Sequence, residues 1–226
     1  MATIADNLQA VKARIARAAE QARRDPAGVT LLAVSKTHPA ARIAEAQAAG
    51  QRAFGENYVQ EALGKMAALP PLEWHLIGPL QSNKARAAAE HFQWVHTVAS
   101  EKIARRLSDA RPSGLAPLNV LLQINVSGEA SKSGVDAAET LPLARSVAAL
   151  PKIRLRGVMA IPEPGAERGR YRAVREAFEA LRQEFDVDTI SMGMSDDLET
   201  AVAEGATLVR VGTAIFGARR RERSAA

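Results

Sequence analysis

Cysteine is absent from this 226-residue chain. That absence excludes disulfides, thiolate metal sites and cysteine nucleophiles together, and it is consistent with a reducing cytosol. Aromatic residues make up only 4% of the sequence and none is interleaved with basic residues, so a stacking platform for single-stranded nucleic acid lacks its material. No stretch of ~18 consecutive apolar residues exists that could cross a bilayer. The N-terminus carries Asp6 early and has no apolar export segment. The sequence therefore reads as a cytoplasmic protein with no membrane partner. Charge of one sign is not concentrated either. The net charge of +5 is spread along the chain, and its one dense run, Arg219-Arg220-Arg221-Glu222-Arg223, reads as a solvated tail. Nucleic acid is not expected as a partner.

What is present is an apolar content of 47%, enough for a sizeable core, and a recurring strand-then-helix pattern. The organising stretch is Thr30 to Lys36, a short buried strand of the kind found in parallel sheets covered on both faces. Lys36 ends it, and the segment from His38 opens a helix with Pro39 near its first turn, so Lys36 occupies a strand-to-helix corner. In parallel α/β proteins chemistry is placed at such corners. Aliphatic surroundings disfavour an ammonium and lower its pKa from about 10.4, and a neutral amine can condense with an aldehyde. A lysine that merely snorkels its head to the rim is the alternative.

An amphipathic helix over Leu8 to Arg24 precedes that strand. Further strands are expected at Arg52–Tyr58, Trp74–Gln81, Trp94–Val98, Leu118–Val126, Arg154–Ile161, Thr189–Met194 and Thr207–Thr213. Helices lie between them, with Ser82 and Ser100 as N-cap candidates, Ser195 to Glu199 opening another, and Gly50 and Gly205 as C-terminal stops. Ser127 to Gly134, with Lys132 inside it, is a loop of more than usual length. Eight strands about 25 residues apart match a (β/α)8 barrel, whose sizes begin near 200 residues. A doubly wound open sheet is the competing fold, but the glycine-rich turn it would carry after its first strand is missing. Spacing alone leaves closure open.

In such barrels phosphate often binds at the loops after strands seven and eight. Ser191-Met192-Gly193-Met194-Ser195 and Arg210-Val211-Gly212-Thr213 bring two hydroxyls and glycines that let backbone approach closely. Singly, Ser195 reads as a helix cap and Gly212 as a packing glycine. Together, across from Lys36, they read as a phosphate cradle. An imine-forming lysine with a phosphate cradle on one barrel face implies pyridoxal phosphate. The four histidines, His38, His75, His91 and His96, show neither paired helical spacing nor a carboxylate motif, so no metal site is expected and His75 reads as a hydrogen-bonded strand residue. Asp196-Asp197 reads as capping rather than as an acid–base pair, and Lys84 as a surface lysine.

Leu32 to Lys36, Phe54 to Glu61, Trp74 to Lys84 and Ser191 to Asp197 closely resemble the motifs of the pyridoxal phosphate homeostasis family, the YggS/PROSC type, and the resemblance runs from about residue 5 to residue 219. It implies one α/β domain over residues 1–226, a TIM barrel preceded by an N-terminal helix, like the N-terminal domain of alanine racemase (fold type III) without that enzyme's C-terminal β domain. It assigns Lys36 the cofactor as a lysine aldimine. Ser195, Gly212 and Thr213 receive the phosphate, Arg210 the pyridine nitrogen, and Asn57 a place beside the ring. The family's role is cofactor supply and amino-acid and keto-acid balance with no established catalytic activity. This implies no catalytic residue, apo forms of pyridoxal phosphate enzymes as recipients, and a monomer. An amino-acid racemase of low activity is the alternative.

Overall fold

The computed structural model describes residues 2–127 and 133–217. Lys132 and the arginine run from 219 lie outside the described residues. The elements are α1 (Ile4–Gln21), β1 (Thr30–Val34), α2 (Ala40–Ala48), β2 (Ala53–Glu56), α3 (Val59–Ala68), β3 (Glu73–Leu76), α4 (Ala85–His91), β4 (Trp94–Val98) and α5 (Glu101–Ala110). They continue with β5 (Leu118–Gln123), α6 (Ala137–Ala148), β6 (Ile153–Met159), α7 (Arg168–Arg182), β7 (Thr189–Ser191), α8 (Leu198–Ala203), β8 (Leu208–Val211) and α9 (Thr213–Phe216). The strands are parallel and pair in sequence order, and β1 pairs with β8 from Thr30–Leu208 to Ala33–Val211. The sheet is a closed barrel, which settles the choice against an open doubly wound sheet.

Alternation along the strands divides the core. Leu31 and Ala33 of β1 face the helix layer and join the main cluster, whereas Leu32 and Val34 join a separate cluster with Ala53, Ile77 and Leu208 inside the barrel. The stripe on α1 (Ile4, Leu8, Val11, Ile15, Ala18 and Ala19) is buried, and its start is fixed by a capping box between Thr3 and Asp6. Arg14 on this helix forms a two-pronged ion pair with Glu199 of α8 and donates from Nη2 to the Ser195 carbonyl at 3.0 Å, so α1 braces the corner after β7. No helix among the described residues is long and apolar enough to cross a membrane.

The strands end earlier than the sequence suggests. β1 stops at Val34, β3 at Leu76 and β7 at Ser191, although Ser35, Ile77 and Met192 beyond them remain buried. Each of these residues still donates one backbone hydrogen bond to the neighbouring strand, Ser35 to Gly55 O at 3.0 Å, Ile77 to Glu56 O at 2.9 Å and Met192 to Leu208 O at 3.2 Å, so the chain turns away only after them. Two capping expectations are corrected. Ser82 lies inside a short 3-10 turn, Ser82–Lys84, whose cap position is Gln81. Ser195 does not begin a helix, because α8 starts at Leu198 after Asp197. Ser100 caps α5 as expected, accepting from the Ile103 amide at 3.4 Å.

Candidate functional site

Lys36 lies two residues past β1 on a corner held from both sides. Ser35 is fully buried; its amide donates to Gly55 O at 3.0 Å and its hydroxyl to Glu56 Oε1 at 2.6 Å. Lys65 Nζ donates to Ser35 O at 2.8 Å, to Glu56 Oε1 at 2.7 Å and to Glu61 Oε1 at 2.7 Å. The Thr37 amide donates to Glu61 Oε1 at 2.6 Å, and Thr37 has φ +65°, a left-handed conformation uncommon for a threonine. The peptide on each side of Lys36 is thus fixed by one buried ion cluster. Burial pushes the Glu56 carboxyl up, against the opposing pull of Lys65 and Ser35.

At the carboxyl ends of the strands a cavity of about 280 Å³ opens, and Lys36, Asn57, Ser195, Arg210, Gly212 and Thr213 all line it. Every site residue expected from the sequence is brought to this one space. Gly78, two residues past the end of β3, lets the Asn57 backbone pack against it, since a Cβ there would come within 2.2 Å of Asn57 O. The corner after β7 turns at Gly193, whose φ of +93° and a Cβ position 2.5 Å from the Ala201 methyl admit only glycine. Asp197 ties that corner by accepting from the Met194 amide and from the Tyr171 hydroxyl, the latter at 2.6 Å, rather than by capping α8.

Arg210 projects from β8 into the same cavity and is 4% exposed. Its Nη1 donates to Ser191 Oγ at 2.7 Å and its Nη2 to Ala160 O at 2.9 Å. Burial lowers its pKa to about 10, against a smaller upward pull from Asp197, so it is a cation at neutral pH. The donor set is an amine on one side, hydroxyls and glycine backbone at the corners after β7 and β8, and a buried guanidinium. That set fits an aldehyde-bearing aromatic phosphate.

The family described as alanine racemase, N-terminal domain, matches residues 7–220. The chain is 64% identical to the pyridoxal phosphate homeostasis protein of Pseudomonas aeruginosa, over 97% of each chain. It is 55% identical to the protein of the same name from Escherichia coli K12, over 97% of this chain and 98% of that one. It belongs to the pyridoxal phosphate homeostasis protein family. PipY of Synechococcus elongatus, solved with PLP bound, superposes with a TM-score of 0.79 at 42% identity, covering 90% of this chain and all of that one.

Two features of this family member escape the sequence motifs. The Glu56–Lys65–Glu61 cluster is one; only the Glu61/Lys65 spacing of four residues on a helix hints at it. The second is a row of polar groups inside the barrel. His75 is the hydrogen-bonded strand residue expected, and its partners are Glu73 Oε1 at 2.7 Å and His96 Nε2 at 2.9 Å. His96 in turn meets Ser191 Oγ at 3.0 Å. No local pattern links positions so far apart in sequence; barrel closure does.

Proposed function

We propose that this chain binds pyridoxal 5'-phosphate on the carboxyl-end face of its barrel and serves the cell's supply of that cofactor. The observation that carries the reading is the single cavity in which Lys36 from the β1 corner meets Ser195, Gly212 and Thr213 from the corners after β7 and β8. Lys36 holds the cofactor covalently through Nζ. Ser195, Thr213 and the backbone at Gly212 bind its phosphate, Arg210 faces the ring nitrogen and Asn57 lies beside the ring. The cofactor supplies a reactive aldehyde and a ring able to take up electrons. Arg210, a donor that keeps its own proton, leaves the ring nitrogen unprotonated and that capacity weak. Such a site suits holding and releasing the cofactor, with apo forms of pyridoxal phosphate enzymes as recipients and the protein acting as a cytoplasmic monomer.

The purified protein is expected to be yellow, and borohydride reduction should fix the cofactor's mass on the peptide containing Lys36. Label on Lys84 or Lys132, with the visible band retained in Lys36→Ala, would overturn the assignment. Release is tested by mixing the loaded protein with an apo-enzyme that requires pyridoxal phosphate. Activation faster than free cofactor dissociates from this protein supports direct hand-over, and activation at the dissociation rate refutes it.

A further inference from the structure

The interior of a (β/α)8 barrel is normally filled by layers of apolar side chains. This one is crossed by a continuous polar chain: Glu73 and His75 on β3, His96 on β4, Ser191 on β7 and Arg210 on β8, joined by hydrogen bonds of 2.7, 2.9, 3.0 and 2.7 Å. His75, His96, Ser191 and Arg210 are all buried, whereas the Glu73 side chain is half exposed. It borders a second cavity, of about 260 Å³, which His75, Trp94, Arg156 and Asp188 also line. The chain therefore joins the second cavity to the one that holds Lys36.

The end groups, together with neutral imidazoles, set the direction of every bond. A guanidinium only donates and a carboxylate only accepts. Glu73 accepts, so His75 carries its proton on Nε2; with both imidazoles neutral, His75 Nδ1 accepts from His96 Nε2, His96 Nδ1 accepts the serine hydrogen, and Ser191 Oγ accepts from Arg210. Both imidazoles are neutral and share one tautomer, and burial favours the neutral form of each. A proton added to either imidazole must reverse the bonds between it and Ser191, so the serine can no longer serve Arg210 in the same way. An apolar filling would avoid the desolvation that these groups incur, so their retention points to a use.

We propose that Ser191, His96, His75 and Glu73 are positioning residues for Arg210, and that they couple protonation at the far end of the barrel to the way the Arg210 guanidinium is held toward the cofactor's ring nitrogen. This rests on the reading that Arg210 faces that nitrogen. The other charged groups around the chain are Arg156, which lies over the Trp94 ring at 4.6 Å and pairs with Asp188 beside Glu73, and Asp197, which acts on Arg210. Lys36, His38 and Asp196 share the upper cavity with Arg210.

The test uses the full chain, first without cofactor and then loaded with pyridoxal phosphate. Nitrogen-15 NMR of the unloaded protein at neutral pH should show His75 and His96 neutral and protonated on Nε2. Glu73→Gln, a near-isosteric change at a half-exposed site, should alter the His96 resonances although the two residues do not touch. Either imidazole charged, or protonated on Nδ1, or a His96 signal indifferent to Glu73→Gln, overturns the chain. In the loaded protein, Glu73→Gln should shift the midpoint of the pH titration of the visible band. That shift should vanish in a Ser191→Ala background, where the chain is cut beside Arg210. A shift that survives Ser191→Ala refutes coupling through the chain, and so does no shift at all. Arg210→Gln separates the two readings: a visible band unchanged by it removes Arg210 from the ring nitrogen, whereas a changed band together with an unmoved Glu73→Gln titration removes only the coupling.

Discussion

Ser195 and Thr213, both hydroxyl-bearing, line the same cavity as Lys36, so different chemistry recognises the two ends of the proposed ligand. Ser195→Ala removes one hydroxyl donor to a charged group, which costs about 1.5–3 kcal/mol, roughly tenfold or more in affinity. Equilibrium binding should show that loss for pyridoxal phosphate and almost none for pyridoxal; equal losses would assign Ser195 to fold stability instead. The tyrosines bear on the racemase alternative, which needs a second acid–base group facing Lys36 across the substrate. Tyr171 is 1% exposed, donates to Asp197, and is held protonated as burial and that carboxylate push its pKa up. Tyr58 is 60% exposed and is not among the residues lining the cavity. With the loaded protein and L-alanine in deuterated water, α-proton exchange followed by NMR is therefore expected to stay far below about 1 per second, an ordinary enzyme's rate. Turnover at that rate would favour the racemase.

Between β1, β2 and α3 the buried cluster of Glu56, Lys65 and Glu61 fixes the corner that carries Lys36. Glu56 is fully buried and the Lys65 side chain is 8% exposed, so removing the ammonium would strand a carboxylate that water cannot reach. Lys65→Met should destabilise the chain by about 3–5 kcal/mol, read from urea unfolding, as for other broken buried pairs. A loss within about 0.5 kcal/mol would mean that the site behaves as an ordinary surface position. The order of strands and helices was legible because short apolar runs and period-3.6 stripes are local signals, as β1 and the buried faces of α1 and α7 illustrate. So was the gathering of Lys36, Arg210 and Thr213 at one mouth, since parallel strands send all their carboxyl ends the same way. The place of Ser195 in that mouth was also foreseen, but not its backbone. Asp197 accepts from Met194 and Tyr171, which holds the turn open for three residues before α8 begins. The Glu73-to-Arg210 row was not legible, because a lone histidine in a strand gives no sign of which strand lies across the barrel.

Closing the sheet around two imidazoles makes the stability of the whole molecule depend on pH in a definite sense. Burial lowers His75 from the usual 6.5 even though Glu73 opposes the shift. His96 is taken well below it, by burial first and then by the charges of His75 and Arg210. The unfolded chain takes up protons at both positions near 6.5, while the folded chain resists until lower pH. This contribution to stability is present in full above 6.5 and is lost as pH falls toward the folded values. Each proton bound only by the unfolded chain adds a slope of about 1.4 kcal/mol per pH unit. Glu73 and Asp188 are also depressed: the His75 hydrogen bond lowers Glu73, and for Asp188 the pull of Arg156 and Thr189 overcomes the raising effect of burial. Their window lies lower, beneath the ordinary carboxylate values, so it does not overlap the upper part of the histidine window. Glu56 is shifted the opposite way and loses stability as pH rises, so it opposes the trend rather than producing it. Urea unfolding from about pH 7 to about pH 5, the range in which histidine changes charge, should therefore show the folded state weakening. The fall should be about half as steep in His96→Gln, which removes one of the two differential protons and keeps an amide able to hydrogen-bond. An unchanged slope in that variant would show that the imidazoles inside the barrel are not what the acid attacks.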